Sequence, residues 1–185
     1  MKATNPGGQL VDIPECYISI PGTNGADPFQ ISFNNLPELS DAKSASYADE
    51  PVIGRSTPIK AYSHSETRTI SCTIHLIAVS GTGQGDIQKN LQILRAIQSC
   101  SYPQDGTNDT PFFPPPVCKI KCGQLLGSDG VCVVLKSYSV RYPTDVTWDQ
   151  TTLIPYKFDI ETNWDVVYRT SELPGQERIM TDGWI

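Results

Sequence analysis

The sequence predicts a mainly β protein of α+β class: a split barrel or sandwich of antiparallel strands, one flanking helix over about 86–100, and extended arms at both ends. Three observations carry this. Residues 67–79, 117–126, 131–142 and 153–164 alternate apolar and polar side chains with period two or run apolar on both faces. Only "IQKNLQILRAIQSC" repeats its apolar residues at helical spacing. Turn formers, 14 Gly and 15 Pro among 185 residues, separate these runs.

Taken in order, residues 1–53 predict an extended N-terminal region that packs on the barrel or extends from it. Two apolar pieces, "CYISI" (16–20) and "FQISF" (29–33), flank "PGTNGADP" and predict a hairpin with a long connection. "NNLPELSDAKSASYADEPVIGRST" (34–57) reads as an irregular surface excursion of the kind that orders against a partner. In "TRTISCTIHLIAV" the even positions Ile70, Cys72, Ile74 and Leu76 turn inward. The odd ones, His75 among them, face water.

"SGTGQGD" is a flexible connection, with Asp86 placed to cap the helix that follows. That helix turns Ile87, Leu91, Leu94 and Ile97 to one side and leaves Gln88, Lys89, Asn90 and Arg95 for the other. "PFFPPPVCKIKCGQLL" then leads stiffly into a strand at a barrel edge, because its prolines fix φ and remove N–H donors. Cys118, Ile120 and Cys122 share its inner face; Lys119 and Lys121 share the outer one. "GSDG" turns the chain into "VCVVLKSYSVRY". In "LIPYKFDIETNW", Phe158, Ile160 and Trp164 oppose Lys157, Asp159, Glu161 and Asn163, and Pro155 marks an edge or a strand beginning. The domain spans 54–168, and 169–185 forms a tail.

The formal net charge of −6 argues against a nucleic-acid binder, which needs a concentrated basic surface. No run approaches the ~20 apolar residues of a membrane-spanning helix. The N-terminus shows one lysine without the apolar stretch of a Sec-type signal, so free thiols are expected for the six cysteines.

Chemistry is sparse. "GTGQGD" lacks the lysine and hydroxyl residue of a phosphate loop, and Asp86 would repel phosphate at a helix N-terminus. Cys72 and His75 lie three apart on a strand, facing opposite ways, which disfavours a shared metal. Cys118 and Cys122 are about 13 Å apart along theirs at ~3.3 Å per residue, too far to bridge each other. Cys72 and Cys132 are candidate partners for them; small core residues are the plainer reading. There is no G-x-S-x-G elbow. His64 reads as the exposed tip of a turn beside Glu66. Trp148, Trp164 and Trp184 suit sugar stacking, or else one core and two contact residues. No enzyme is predicted and no cofactor.

"GRSTPIKAYSHSETRTISCTIHL" (54–76), the helix, the Pro115–Pro116–Val117 step into a strand ending at Gly123, and the strands after it resemble the tail-tube-like proteins of contractile phage tails and related injection machines. The resemblance covers about 54–166. It implies a split β-barrel with a flanking helix, joined edge to edge into a homo-oligomeric ring (a hexamer, with a trimer open). It further implies a non-enzymatic tube-initiator or adaptor in the virion's baseplate, assembled in the host cytoplasm. Its partners would be tail tube, hub and baseplate proteins, with DNA only passing through the lumen and no membrane involved. Relatives that carry a peptidoglycan-binding LysM module after this domain differ, since only about 20 residues follow Tyr168 here. On this reading the candidate subunit contacts are Arg55, Pro115, Pro116, Lys119 and Lys121. Trp148 and Trp184 join them. The alternative function is a carbohydrate- or peptide-binding β-domain; a thiol or zinc enzyme is a third class.

Overall fold

Alternating side chains bury one face of a strand only if the strands share a sheet, and seven of them do. A computed structural model describes residues 13–22, 27–33, 35–78, 83–105, 112–127, 129–169 and 173. In chain order the elements are β1 (Ile13–Ile20), β2 (Phe29–Phe33), β3 (Glu38–Ala42), β4 (Ala45–Glu50), β5 (Ile59–Ser65) and β6 (Thr69–Ile77). Then follow α1 (Gly83–Ser99), β7 (Gln104–Asp105), β8 (Phe112–Phe113), β9 (Cys118–Cys122), β10 (Val131–Arg141) and β11 (Lys157–Val166). The main sheet has the order β2-β1-β9-β10-β11-β6-β3, and every pairing in it is antiparallel. The mainly β, α+β class holds, with one helix among the described residues.

The sheet does not close. No pairing joins β2 to β3 among the described residues, so the barrel keeps two edges and the sandwich description fits better. It curls all the same. Cys72 on β6 shares a core cluster with Cys16 on β1 and Cys122 on β9 and lies near enough to interact with both, although two strands separate β6 from β9 in the sheet order and three separate it from β1. The concave face is one continuous apolar core, containing Ile18, Ile31, Ile74, Ile120, Val133 and Trp164. Ile93, Leu94, Ile97 and Cys100 of the helical segment pack into the same cluster.

Several expectations shift on the way from sequence to sheet. The segment read as an irregular excursion holds β3 and β4, short polar strands whose order comes from pairing with β6 and β5. With β1 and β2, the region before residue 54 therefore supplies three of the seven sheet strands. The "CYISI"–"FQISF" hairpin forms as expected, with a register irregularity between Ile13 and Tyr17. β9 is not an edge: β1 covers one side and β10 the other, because the N-terminal hairpin docks where the edge was expected. Likewise β11 is interior, and Pro155 precedes it.

At the helix, Asp86 falls within the first turn, since α1 begins at Gly83. Its negative charge there complements the helix dipole. Asn90, read as solvent-facing, is buried; it lies three residues after Ile87 and four before Leu94, on the inward stripe. His64 lies within β5, not in a turn. Of the tail 169–185, residues 170–172 and 174–185, including Trp184, lie outside the described residues, as do 80–82 of the flexible connection.

Gly130 ends the turn that makes β9 and β10 adjacent. Its φ is +78°, and a Cβ there would meet the Ile120 carbonyl oxygen at 2.5 Å. Only glycine satisfies both conditions.

Candidate assembly surface

The two sheet edges are where the fold leaves backbone groups to be used. The antiparallel alternation tells which ones. The Gly123 N–H donates to the Glu15 carbonyl at 2.8 Å, so odd-numbered residues of β1 bond toward β9 and even-numbered ones toward β2. Ile18 and Ile20 face Ile31 and Phe29. Gln30 and Ser32 therefore aim their N–H and C=O groups outward from the β2 edge. By the same logic, Val166 N–H donates to the Arg68 carbonyl at 2.9 Å, which turns odd-numbered residues of β6 toward β3. Leu39 and Asp41 then face outward from the β3 edge.

The β3 edge is clamped by charge. The Arg68 guanidinium is 3% exposed, and its Nε donates to both Asp41 carboxylate oxygens at 2.9 and 3.1 Å. A buried cation needs such a fork of acceptors to offset its lost hydration. On the convex face, His75 Nδ1 meets the Asp159 carboxylate at 2.6 Å, and its Nε2 lies 3.6 Å from Glu38. That face is where the alternation predicts His75. The contacts tie β6 to β11 and β3. Ser71 donates to Asn163 Oδ1 at 2.7 Å, and Asn163 Nδ2 donates to Ser137 at 3.2 Å.

β4 and β5 form a separate two-stranded ribbon outside the main sheet. Tyr47 and Tyr62, registered opposite each other, stack edge to face with centroids 5.8 Å apart. Both rings are more than half exposed, and Val52, Ile53 and Ile59 are exposed near the ribbon's turn. An isolated two-stranded ribbon is marginal in water. Sequence reasoning missed this surface; the available signal was Tyr47 and Tyr62 in two polar runs of strand length.

The expected contact residues that are described fall in four places: the ribbon's turn, the lead-in to β9, β9 itself and the connection from β10 to β11. Arg55 is exposed in the turn of the ribbon, its N–H on the Val52 carbonyl at 3.2 Å. Pro115 is exposed, whereas Pro116 is buried. Lys119 and Lys121 share the outer face of β9, where Lys121 pairs with Glu15 at 2.8 Å, a contact that raises its pKa. Trp148 is 38% exposed and lines an open cleft of about 600 Å³ with Ala78, Val146, Asp149 and Tyr156. The Thr152 N–H donates to the Asp149 carboxylate at 2.8 Å, and its hydroxyl also donates; together they hold that carboxyl below the usual range. Trp164 is wholly buried and offers no platform.

Five of the six cysteines are buried; Cys132 is exposed. The candidate bridging partners of Cys118 and Cys122, Cys72 and Cys132, are not the thiols whose sulfurs they meet. Cys122 meets Cys16 at 3.0 Å between sulfurs, and Cys118 meets Cys100 at 3.6 Å. The strand order decides this, since β1 lies beside β9 and the end of α1 packs over it. Burial, and next the Cys16 thiol, pushes Cys122 up to about 12; burial foremost pushes Cys72 up to about 12. Among the described residues, no group of three or more His, Cys, Asp or Glu side chains is placed to hold a metal ion.

No family model matches the chain, and no curated protein matches it. Among solved structures, it is similar to a chain of the anti-feeding prophage (AFP) baseplate seen by six-fold symmetrised cryo-EM, at 10% identity across 83% of this chain and 89% of that one, with a TM-score of 0.36.

Proposed function

We propose that the chain is a ring-forming structural protein of a contractile tail or related injection machine, a tail-tube-like adaptor that links tube to hub in the baseplate. The observation that carries this reading is the pair of open edges on one seven-stranded sheet. Natural sheets cover, charge or twist their edges to avoid unwanted pairing. A protomer with a free edge on each side can instead pair β2 of one copy with β3 of the next. Such a head-to-tail contact closes a ring when the rotation fits. The motif run from "GRSTPIKAY" to "FDIETNW" supports the same class, and the exposed apolar ribbon suits a contact with an adjoining ring. A net charge of −6 keeps DNA in transit from adhering. The protein is assembled in the host cytoplasm and resides in the virion, with no catalytic role.

Purified chain, alone and mixed with the tube and hub proteins of a contractile tail from the same source, tests this by light scattering and negative-stain microscopy. Rings, hexameric foremost, are expected once a partner is present. A chain that stays monomeric with both partners overturns the reading.

The cleft beside Trp148 favours one second reading, a carbohydrate- or peptide-binding domain. Glycan or peptide binding that disappears in Trp148→Ala, with no ring formation, would establish it.

A further inference from the structure

We propose that Cys16 and Cys122 form a modification site, a buried thiol pair that a disulfide oxidant closes into a covalent staple between β1 and β9. The inference is independent of any assembly role. The two residues stand directly opposite in the antiparallel register. Because Glu15 and Gly123 form a hydrogen-bonded pair, Cys16 and Cys122 occupy a non-hydrogen-bonded position. There Cα atoms approach to about 4.5 Å, within the range a disulfide spans. The sulfurs are already 3.0 Å apart, so closure needs a shift of about 1 Å.

Other pairings are less well set. Cys118 and Cys100 are 3.6 Å apart, and each thiol also has a carbonyl to bond, of Pro116 and Ala96 respectively. Cys72 lies on β6, near the pair but not opposite either member. The exposed Cys132 has its own access to solvent.

The step balances with a low-molecular-weight disulfide such as oxidised glutathione. The thiolate of one cysteine attacks a glutathione sulfur, breaking its S–S bond and expelling one glutathione thiolate. The second cysteine then attacks the protein-side sulfur of the mixed disulfide and releases the other glutathione. Two protein thiols are oxidised, one small disulfide is reduced, and the two protons leave on the two glutathione thiols. Burial suppresses the attacking thiolate, so the pair stays reduced during brief exposure and closes slowly, through local opening of β1 from β9.

The test is made on the full chain carrying Cys132→Ser, which removes the exposed thiol. Folded protein is held with oxidised glutathione at pH 8.5, quenched with acid, alkylated in denaturant and peptide-mapped. The expected product is a linked peptide containing Cys16 and Cys122, lighter by two hydrogens, and lost on treatment with dithiothreitol. A loop of this length predicts a rise of roughly 10 °C in thermal midpoint. Cys72→Ala should keep the linkage, and Cys16→Ala should abolish it. If Cys16 and Cys122 are recovered separately alkylated or glutathionylated, or if the main linkage joins other cysteines, the proposal is overturned. That map needs no variant at either position, so a folding defect in Cys16→Ala leaves the test intact.

Discussion

The hydroxyl of Thr162 donates to the Cys72 carbonyl at 2.8 Å and accepts the Trp164 indole N–H at 2.8 Å, all within the buried face. A single threonine at an inward position thus lets β11 bury a tryptophan completely without orphaning its N–H. Beside it, the Cys72 thiol makes a sharper prediction. Its pKa is raised from 9.0 to about 12, first by burial. Below pH 9 the thiol is neutral whether folded or unfolded, and pH has no effect through it. Between 9 and 12 the unfolded chain releases this proton while the folded chain keeps it, so stability falls as pH rises. The slope is about 1.4 kcal/mol per pH unit at most. Urea titrations at pH 8, 9 and 10 should show the parent losing stability faster than Cys72→Val. Parallel losses would show that Cys72 is not kept protonated by the fold. The inward direction of Cys72 was legible from period two alone. Its neighbours were not, because the residues it meets across the core, Cys122 and Cys16, stand 50 and 56 positions away along the chain, beyond any local pattern.

At the scale of elements, what could be read was whatever had a strong period of its own. β6, β10, β11 and α1 each bury a regular set of residues, and each stands where the periodicity puts it. β3 and β4 do not: "ELSDA" and "ASYADE" offer one half-buried residue apiece, and only their neighbours make them strands. β3 is held partly by the Asp41–Arg68 pair. Removing one partner of a fully buried pair costs about 3–5 kcal/mol. Asp41 is about a third exposed, so Asp41→Asn should cost less, about 2 kcal/mol. Hydrogen exchange should then show lost protection in β3 and the start of β6, with β10–β11 unchanged. Uniform loss across the sheet would mean the pair supports the whole core. The β9–β10 hairpin has its own test. Gly130→Ala combines a left-handed φ with contact on the Ile120 carbonyl, and should cost about 2 kcal/mol or more in urea unfolding. A change below about 0.5 kcal/mol would show that the turn relaxes freely.

For the whole molecule, the expected surface residues locate less than the sheet order does. Arg55, Lys121 and Trp148 fall on separate elements, whereas the free edges are defined by strands that sequence reasoning assigned to an arm. The N-terminal region was legible as a hairpin but not as sheet, since nothing local in "CYISI" announces that it will cover β9. If copies join by edge pairing, the donors are the outward N–H groups of Gln30 and Ser32. Proline at Gln30 removes one such donor while leaving the inward bonds of Phe29 and Ile31 to β1 in place. Phe29 is already extended, as a residue before proline must be. Gln30→Pro should therefore keep a urea midpoint near that of the parent and fail to form rings with tube or hub partners. Ile31→Pro removes an inward donor from a fully buried position and should unfold the hairpin, which distinguishes edge from interior. Rings of normal size from Gln30→Pro would show that the copies do not join through β2, and would shift the search to the aromatic ribbon of Tyr47 and Tyr62.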